Sequence, residues 1–278
     1  MTSKKTLYDS VEKNWVRQNF WIPVLKKLVS EKSRVKSLEM LGETPEVWWE
    51  QVSHHNSKTA VDVTGVALDR PSKQAGRCRK VFYGRLSDLI NRPVFTKTFP
   101  YDLINLDYYG GGRWFSEKFR SDKIGEIFKV ISLNLKKNNS FYFLLTLETN
   151  DLIYPWYKHS TDVITQNPVF PETVKFLNSI NKSERWNLWL ALIGNAFEII
   201  GYCLKKGFHC ELLGTPCTYI GESTSHKSRM LVYSFHVSEL EKKTSAESLY
   251  KKSLNIIKKT RFIKYAKTSG KIGSLSLG

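Results

Sequence analysis

The stretch that decides the fold is residues 34–45, with the sequence Arg-Val-Lys-Ser-Leu-Glu-Met-Leu-Gly-Glu-Thr-Pro. Its first part, to Leu41, predicts a short apolar strand that ends at Gly42. Thr44 suits the N-cap of a following helix, and Pro45 suits the first helical position, where no backbone N–H is needed. A strand that turns directly into a helix is the opening unit of an α/β protein.

The same alternation of strand and helix continues along the chain. Residues 116–138 are patterned as a helix, and 181–184 resemble a capping box at the start of a long apolar helix through Leu204. The last two apolar runs are joined by a short polar loop, which predicts an antiparallel hairpin. Unbroken apolar strands between helices indicate a mostly parallel sheet covered on both faces. The predicted strands are 34–41, 59–68, 79–83, 101–106, 141–147, 208–220 and 228–237.

These elements predict one Rossmann-like, doubly wound α/β domain over residues 34–240. Residues 1–33 are expected to form a basic helical segment. Residues 241–278 are expected to form a basic amphipathic helix that loosens into a Gly/Ser-rich end.

The charge of the chain favours a polyanionic partner. The 278 residues are 41% hydrophobic, which excludes a disordered chain, and the formal net charge is +17. Residues 1–36 carry +6 of it and residues 241–278 carry +8. We expect the tail to clamp the phosphates of DNA or RNA; a solvated surface helix and an acidic protein partner are the alternatives. The predicted nucleic-acid-binding residues are Lys242, Lys243, Lys251, Lys252, Lys258, Lys259, Arg261 and Lys264.

The remaining composition predicts a cytoplasmic protein with no membrane association. The N-terminal residues lack the apolar core of a signal peptide, and the most apolar stretch, 188–204, is short for a membrane span. His54 and His55 have no further ligand at metal-binding spacing, so no metal site is expected. Four cysteines without paired spacing are too few for a disulfide framework and indicate a reducing compartment: Cys78, Cys203, Cys210 and Cys217.

Candidate site residues follow the predicted strands. Ligands of an open parallel sheet lie beyond the carboxyl ends of its strands, near the switch in strand order. Gly42 would let a ligand approach the backbone. Asp69 either holds both hydroxyls of a ribose or forms a surface turn, and Asp107 either faces a substrate or caps the glycine-rich turn after it. Tyr108 and Tyr109 either stack on a base or seal the edge of the sheet.

Residues 34–240 resemble the class I S-adenosylmethionine-dependent methyltransferases, which have a seven-stranded sheet with a terminal hairpin. Residues 37–45 are similar to the first motif of that family, Asp69 to its ribose-binding acid, 83–86 to its segment near the adenine, and 101–109 to its fourth motif. The resemblance implies S-adenosylmethionine as cofactor, with Asp107 orienting the methyl acceptor or taking its proton beside Tyr108 and Tyr109. The residues implied to frame the cofactor are Glu39, Gly42, Glu43, Thr44, Asp69, Arg70, Gly84, Arg85, Leu86 and Asp107.

The expected function is therefore methyl transfer to a nucleic acid or to a nucleic-acid-associated substrate. The alternative is a catalytically inactive, methyltransferase-like subunit that binds nucleic acid within a larger complex, which the single glycine of the first motif and the basic ends motivate. Use of a different nucleotide in the same crevice also stays open, because a fold does not fix a function.

Overall fold

The computed structural model describes residues 11–41, 60–68, 75–108, 117–149, 154–180, 185–222, 227–240, 244–266 and 271–276. Within them the chain forms one ten-stranded sheet with helices on both faces. The strands are β1 Arg34–Met40, β2 Ala60–Ala67, β3 Lys80–Tyr83, β4 Leu103–Tyr108, β5 Ser140–Thr149, β6 Phe208–Leu212, β7 Cys217–Glu222, β8 Lys227–Glu239, β9 Arg261–Ala266 and β10 Lys271–Ser276.

The strand order is β10-β9-β7-β8-β5-β4-β1-β2-β3, and β6 also pairs with β8. Strands β1 to β5 run parallel to their sheet neighbours among themselves, whereas β8 is antiparallel to β5 and β7. The order reverses where β1 lies beside β4, which is the switch point of a doubly wound sheet. The structure thus confirms the predicted fold class with its antiparallel hairpin, and corrects the number of strands from seven to ten.

Three strands account for the difference. The predicted strand 208–220 is divided into β6 and β7, because Gly214 has a positive φ of 75° and Pro216 cannot donate to a strand ladder. The other two, β9 and β10, form an antiparallel hairpin where the tail was expected to loosen. β9 extends the sheet by pairing with β7. The expected amphipathic helix of the tail is present over Ala246–Ile257, where the Ser245 side chain caps it.

The helices cover the two faces of the sheet unequally. One face carries the larger core, and the other is covered by the N-terminal helices α1 (Val11–Val16) and α2 (Ile22–Glu31), which are joined by a π-helical turn over Arg17–Trp21. The helix α8 (Arg185–Lys205) is long and apolar enough to cross a membrane by length and composition, but most of it is buried in the larger core. The helices are α1 Val11–Val16, α2 Ile22–Glu31, α3 Leu86–Leu89, α4 Pro93–Thr96, α5 Glu117–Leu135, α6 Tyr154–Thr165, α7 Phe170–Ser179, α8 Arg185–Lys205 and α9 Ala246–Ile257.

Candidate functional site

A row of polar side chains crosses the C-terminal halves of the parallel strands at the switch point. Glu39 of β1 pairs with Asn105 of β4, and Asp107 of β4 pairs with Thr146 of β5. Paired residues project from the same face of a sheet, and alternate residues of one strand share a face. Leu103, which alternates with Asn105 and Asp107, packs with α1 and α2. The four polar side chains therefore lie on the face that the N-terminal helices cover.

The middle of this polar row is buried. Asn105 Nδ2 donates to Glu39 Oε2 over 2.8 Å, and the two residues are 3% and 1% exposed. This bond compensates part of the cost of burying a carboxyl group. Among the described residues, Asn105 Oδ1 and Thr146 Oγ1 are buried without a hydrogen-bond partner. Because buried polar atoms in proteins are rarely left unpaired, these atoms mark a place where a ligand can bind.

Asp107 is held by a lysine from outside the sheet. Lys13 Nζ of α1 lies 2.5 Å from Asp107 Oδ2, and the two side chains are only 9% and 13% exposed. Within the described part of the chain, Asp107 Oδ1 is buried without a hydrogen-bond partner. β4 ends at Tyr108, two residues beyond the predicted strand, so Asp107 lies on the face of the sheet rather than capping a turn. The pair leaves one carboxylate oxygen as an unused acceptor.

Tyr108 projects from the opposite face of β4 and is separated from Asp107. Its ring belongs to the larger core, and its hydroxyl donates to Glu126 Oε2 over 3.3 Å. Lys123 Nζ lies 2.8 Å from Glu126 Oε1 and 5.3 Å from the centre of the Tyr108 ring. Burial, and then the Glu126 carboxylate, raises the pKa of Tyr108 well above its usual value. A substrate at Asp107 would therefore not meet this phenol.

The predicted segment near the adenine lies directly after β3. Gly84 has a φ of 132°, which favours glycine, and its N–H donates to the last carbonyl of β2 over 2.9 Å. Arg85 is exposed at the N-cap of α3, whereas Leu86 is buried in the core. Tyr83 and Leu68, at the ends of adjacent strands, are 49% and 54% exposed. This end of the sheet thus offers exposed apolar surface beside a cation.

A close contact fixes the chain where it leaves β1. Gly65 of β2 pairs with Glu39, and a Cβ at Gly65 would lie 2.5 Å from Leu41 Cδ1. The Leu41 N–H donates to the carbonyl of Val66 over 2.8 Å. Beside the polar row, a side chain at position 65 of β2 would therefore require the Leu41 side chain to move.

Several predicted residues lie outside the described residues, and the structure adds three residues to the site. Lys13, Asn105 and Thr146 were not predicted, although Asn105 is the polar residue inside the otherwise apolar run 103–106. The predicted residues outside the described ranges are Gly42, Glu43, Thr44, Asp69, Arg70, Tyr109, Lys242 and Lys243.

The structure places the described basic residues of the tail around α9 and β9. Lys251 Nζ lies 2.7 Å from Glu247 Oε1 and 3.3 Å from Glu172 Oε1. Lys252 forms an ion pair with Glu211. Carboxylates therefore already compensate part of the charge of this surface. Lys258, Lys259, Arg261 and Lys264 follow at the end of α9 and in β9.

Comparisons with known proteins give weak similarities. No family model and no curated protein matches the chain. Similar solved structures include a protein of Listeria monocytogenes described as a class I S-adenosylmethionine-dependent methyltransferase, with 13% identity and a TM-score of 0.36 over 82% of this chain and 61% of that one. This chain thus spans less than two thirds of that protein.

Two further solved structures are similar at the same level. TYW2 of M. jannaschii, in complex with AdoMet, has 6% identity and a TM-score of 0.36 over 84% of this chain and 78% of its own. A precorrin-6Y C5,15-methyltransferase of Geobacter metallireducens has 11% identity and a TM-score of 0.37 over 85% and 92%. At these values the similarities assign no role to any residue, and the fold rests on the strand order itself.

Proposed function

We propose that the chain is an S-adenosylmethionine-dependent methyltransferase whose cofactor and methyl acceptor meet at the polar row. The observation that carries the proposal is the set of buried, unpaired polar atoms on β4 and β5, beside Glu39 of β1. A doubly wound sheet binds its ligand at this switch point. The resemblance of the sequence motifs to the methyltransferase family points to the same cofactor.

The residues present fit this cofactor. The amino-acid end of S-adenosylmethionine carries an ammonium group, which needs hydrogen-bond acceptors, and Asn105 Oδ1 is a buried acceptor beside Glu39. Its adenosine end needs apolar surface, which Tyr83 and Leu68 expose at the ends of β3 and β2. When bound, the cofactor supplies an electrophilic methyl group on a sulfonium centre.

The chain's own contribution is positioning. Asp107 Oδ1 accepts a hydrogen bond from the N–H or O–H of the methyl acceptor, which turns a lone pair of that group towards the methyl carbon. Where the acceptor is neutral, the same oxygen takes its proton. Lys13 holds Oδ2 and so restricts rotation of the carboxylate. The helix that carries Lys13 covers this part of the sheet and excludes water from it.

We propose a nucleic acid, or a substrate bound to one, as the methyl acceptor. The formal net charge of +17 supports this choice, because cationic proteins attract polyanions over long distances. The acceptor class is tested by incubating the protein with labelled S-adenosylmethionine and separate pools of RNA, DNA and protein. Incorporation only into protein that is free of nucleic acid would contradict the proposed class and leave the methyl transfer intact.

A catalytically inactive scaffold is the second candidate. One observation favours it: the ammonium of Lys13 already occupies one oxygen of the carboxylate that would face the acceptor. A scaffold of this kind would bind nucleic acid whether or not S-adenosylmethionine is present.

Calorimetric titration with S-adenosylmethionine and S-adenosylhomocysteine tests the proposed function. We expect saturable binding of both to the wild-type chain, and binding about tenfold or more weaker in Asn105→Ala, which removes the proposed acceptor for the ammonium group, since a hydrogen bond to a charged group contributes about 1.5–3 kcal/mol. Asp102→Asn is the control, because Asp102 directly precedes the same strand at its other end, away from the proposed cofactor site. A folded wild-type chain that binds neither compound would contradict the proposal and favour the scaffold.

A further inference from the structure

A cluster of basic side chains lies at the opposite edge of the sheet, where the parallel strands begin. We call it the amino-edge cluster. Its members are Lys32, Arg34, Lys36, Arg79 and Lys137. Lys32 precedes β1, and Arg34 and Lys36 are among the first three residues of that strand. Arg79 directly precedes β3, and Lys137 follows α5.

Two carboxylates connect members of the cluster. Asp62 Oδ2 accepts hydrogen bonds from Arg34 Nε over 2.5 Å and from Arg79 Nη1 over 2.8 Å. Asp102 Oδ1 pairs with Lys32 Nζ at 2.5 Å. Five cations thus surround two carboxylates, so positive charge is in excess at this edge.

The environment of Lys36 reflects this excess. Its Nζ donates to the backbone carbonyl of Thr98. Burial lowers the pKa of Lys36; Asp102 opposes this effect, and the nearby cations Lys137 and Arg79 lower the pKa further. An added anion at this edge would relieve the repulsion among these cations.

The exposed cations are suited to phosphate groups. The side chains of Lys32, Arg34 and Arg79 are 43%, 61% and 66% exposed, and a guanidinium group matches the geometry of phosphate oxygens. Adjacent strands lie about 4.8 Å apart, so a cluster that extends from β3 to β4 is about 14 Å wide. That width corresponds to about four phosphates along one strand of a duplex.

We propose that the amino-edge cluster binds the phosphate backbone of a nucleic acid. A lipid surface is the less suitable partner, because surfaces that bind lipid combine cations with exposed apolar side chains. In the described part of the chain, none of the exposed large hydrophobic residues lies in the segments 32–36, 75–80 or 136–138, which carry the cluster. The proposal does not depend on methyl transfer.

The test measures binding of a short fluorescent duplex, made both as RNA and as DNA, by anisotropy between about 50 and 200 mM salt. We expect the wild-type chain to bind, with an affinity that falls steeply with salt. The slope of log K against log salt is negative, and its magnitude should fall by about two in the double variant Arg34→Gln and Arg79→Gln, since each neutralised phosphate contributes about 0.9. Replacing the same arginines by lysine should keep the slope and weaken binding, because lysine lacks the guanidinium fork.

The matched control removes the same charge elsewhere. Lys251→Gln with Lys252→Gln should lower the magnitude of the slope less than the arginine variant does, because these lysines belong to α9 of the tail and lie outside the amino-edge cluster. If the double arginine variant does not fold, adding Asp62→Asn removes the carboxylate that has lost its partners. A control that lowers the slope as much as the arginine variant would overturn the proposal. So would the absence of duplex binding by the wild-type chain at about 50 mM salt, and binding of anionic vesicles instead would assign the cluster to a lipid surface.

Discussion

The ion pair between Lys13 and Asp107 gives the sharpest prediction for stability. Lys13→Met keeps most of the volume of the side chain and removes its charge, which leaves a carboxylate that is only 13% exposed without its cation. Breaking a buried pair from one side costs about 3–5 kcal/mol. The urea m-value of a chain this long is about 3 kcal/mol per molar or more, so the midpoint of unfolding should fall by about 1 M.

Urea unfolding followed by tryptophan fluorescence measures the effect, with two further variants for comparison. The double variant Lys13→Met and Asp107→Asn should recover most of the loss, because residue 107 then carries no charge that Lys13 would have to compensate. Lys32→Met breaks the pair with Asp102, whose lysine is 43% exposed, and should cost less than about 1 kcal/mol. A Lys13→Met variant as mild as Lys32→Met, with no recovery in the double variant, would refute the reasoning that the pair is buried.

Three further predictions follow from single contacts. The hydrogen bond from Arg34 is the main cause of the lowered pKa of Asp62, so its stabilisation is present above the unfolded value of about 3.8 and is lost as the pH falls. Asp62→Asn should therefore lower the melting temperature at pH 7 and not at about pH 2; equal losses at both would contradict this. Gly65→Ala should cost about 1–3 kcal/mol in urea unfolding because its Cβ meets Leu41, and Leu41→Ala should abolish the added cost. Burial raises the pKa of Cys78 to about 11, so a thiol reagent should label it slowly at pH 8 and faster as the pH rises, and labelling that is already complete at pH 8 would show an exposed thiolate.

The central parallel strands β1, β4 and β5 are predictable because most of their side chains are buried on both faces of the sheet. β1 is found at 34–40 against a predicted 34–41, and β5 at 140–149 against 141–147. β9 escapes prediction because its apolar residues do not form an unbroken run: Phe262 packs against the larger core, and the adjacent Ile263 belongs to the core under α1 and α2. Such alternation is typical of a strand, but the surrounding lysines give the same sequence the composition of a basic helix.

The candidate site is only partly predictable, because its contacts join distant parts of the sequence. Glu39 and Asp107 stand near the ends of apolar runs, where the rule for ligand positions in parallel sheets applies. This rule does not identify Lys13, because its partner Asp107 is in β4 and the apolar residues around Lys13 are not regularly spaced along its own helix. The buried residues Val16 and Trp21 are five positions apart, a spacing that a regular α-helix would place on different sides. The π-helical turn between them restores a common face, so Lys13 and α2 are buried together.

The two proposals place constraints on each other through the geometry of β4. Asp102 borders the amino-edge cluster and Asp107 lies in the polar row, and five residues of an extended strand separate them by about 17 Å. A phosphate group at the cluster therefore cannot belong to the nucleotide that receives a methyl group at Asp107. If both proposals hold, the amino-edge cluster anchors the nucleic acid while a more distant part of it reaches the polar row. Methyl transfer should then require a substrate longer than the segment that the cluster holds, whereas binding should not.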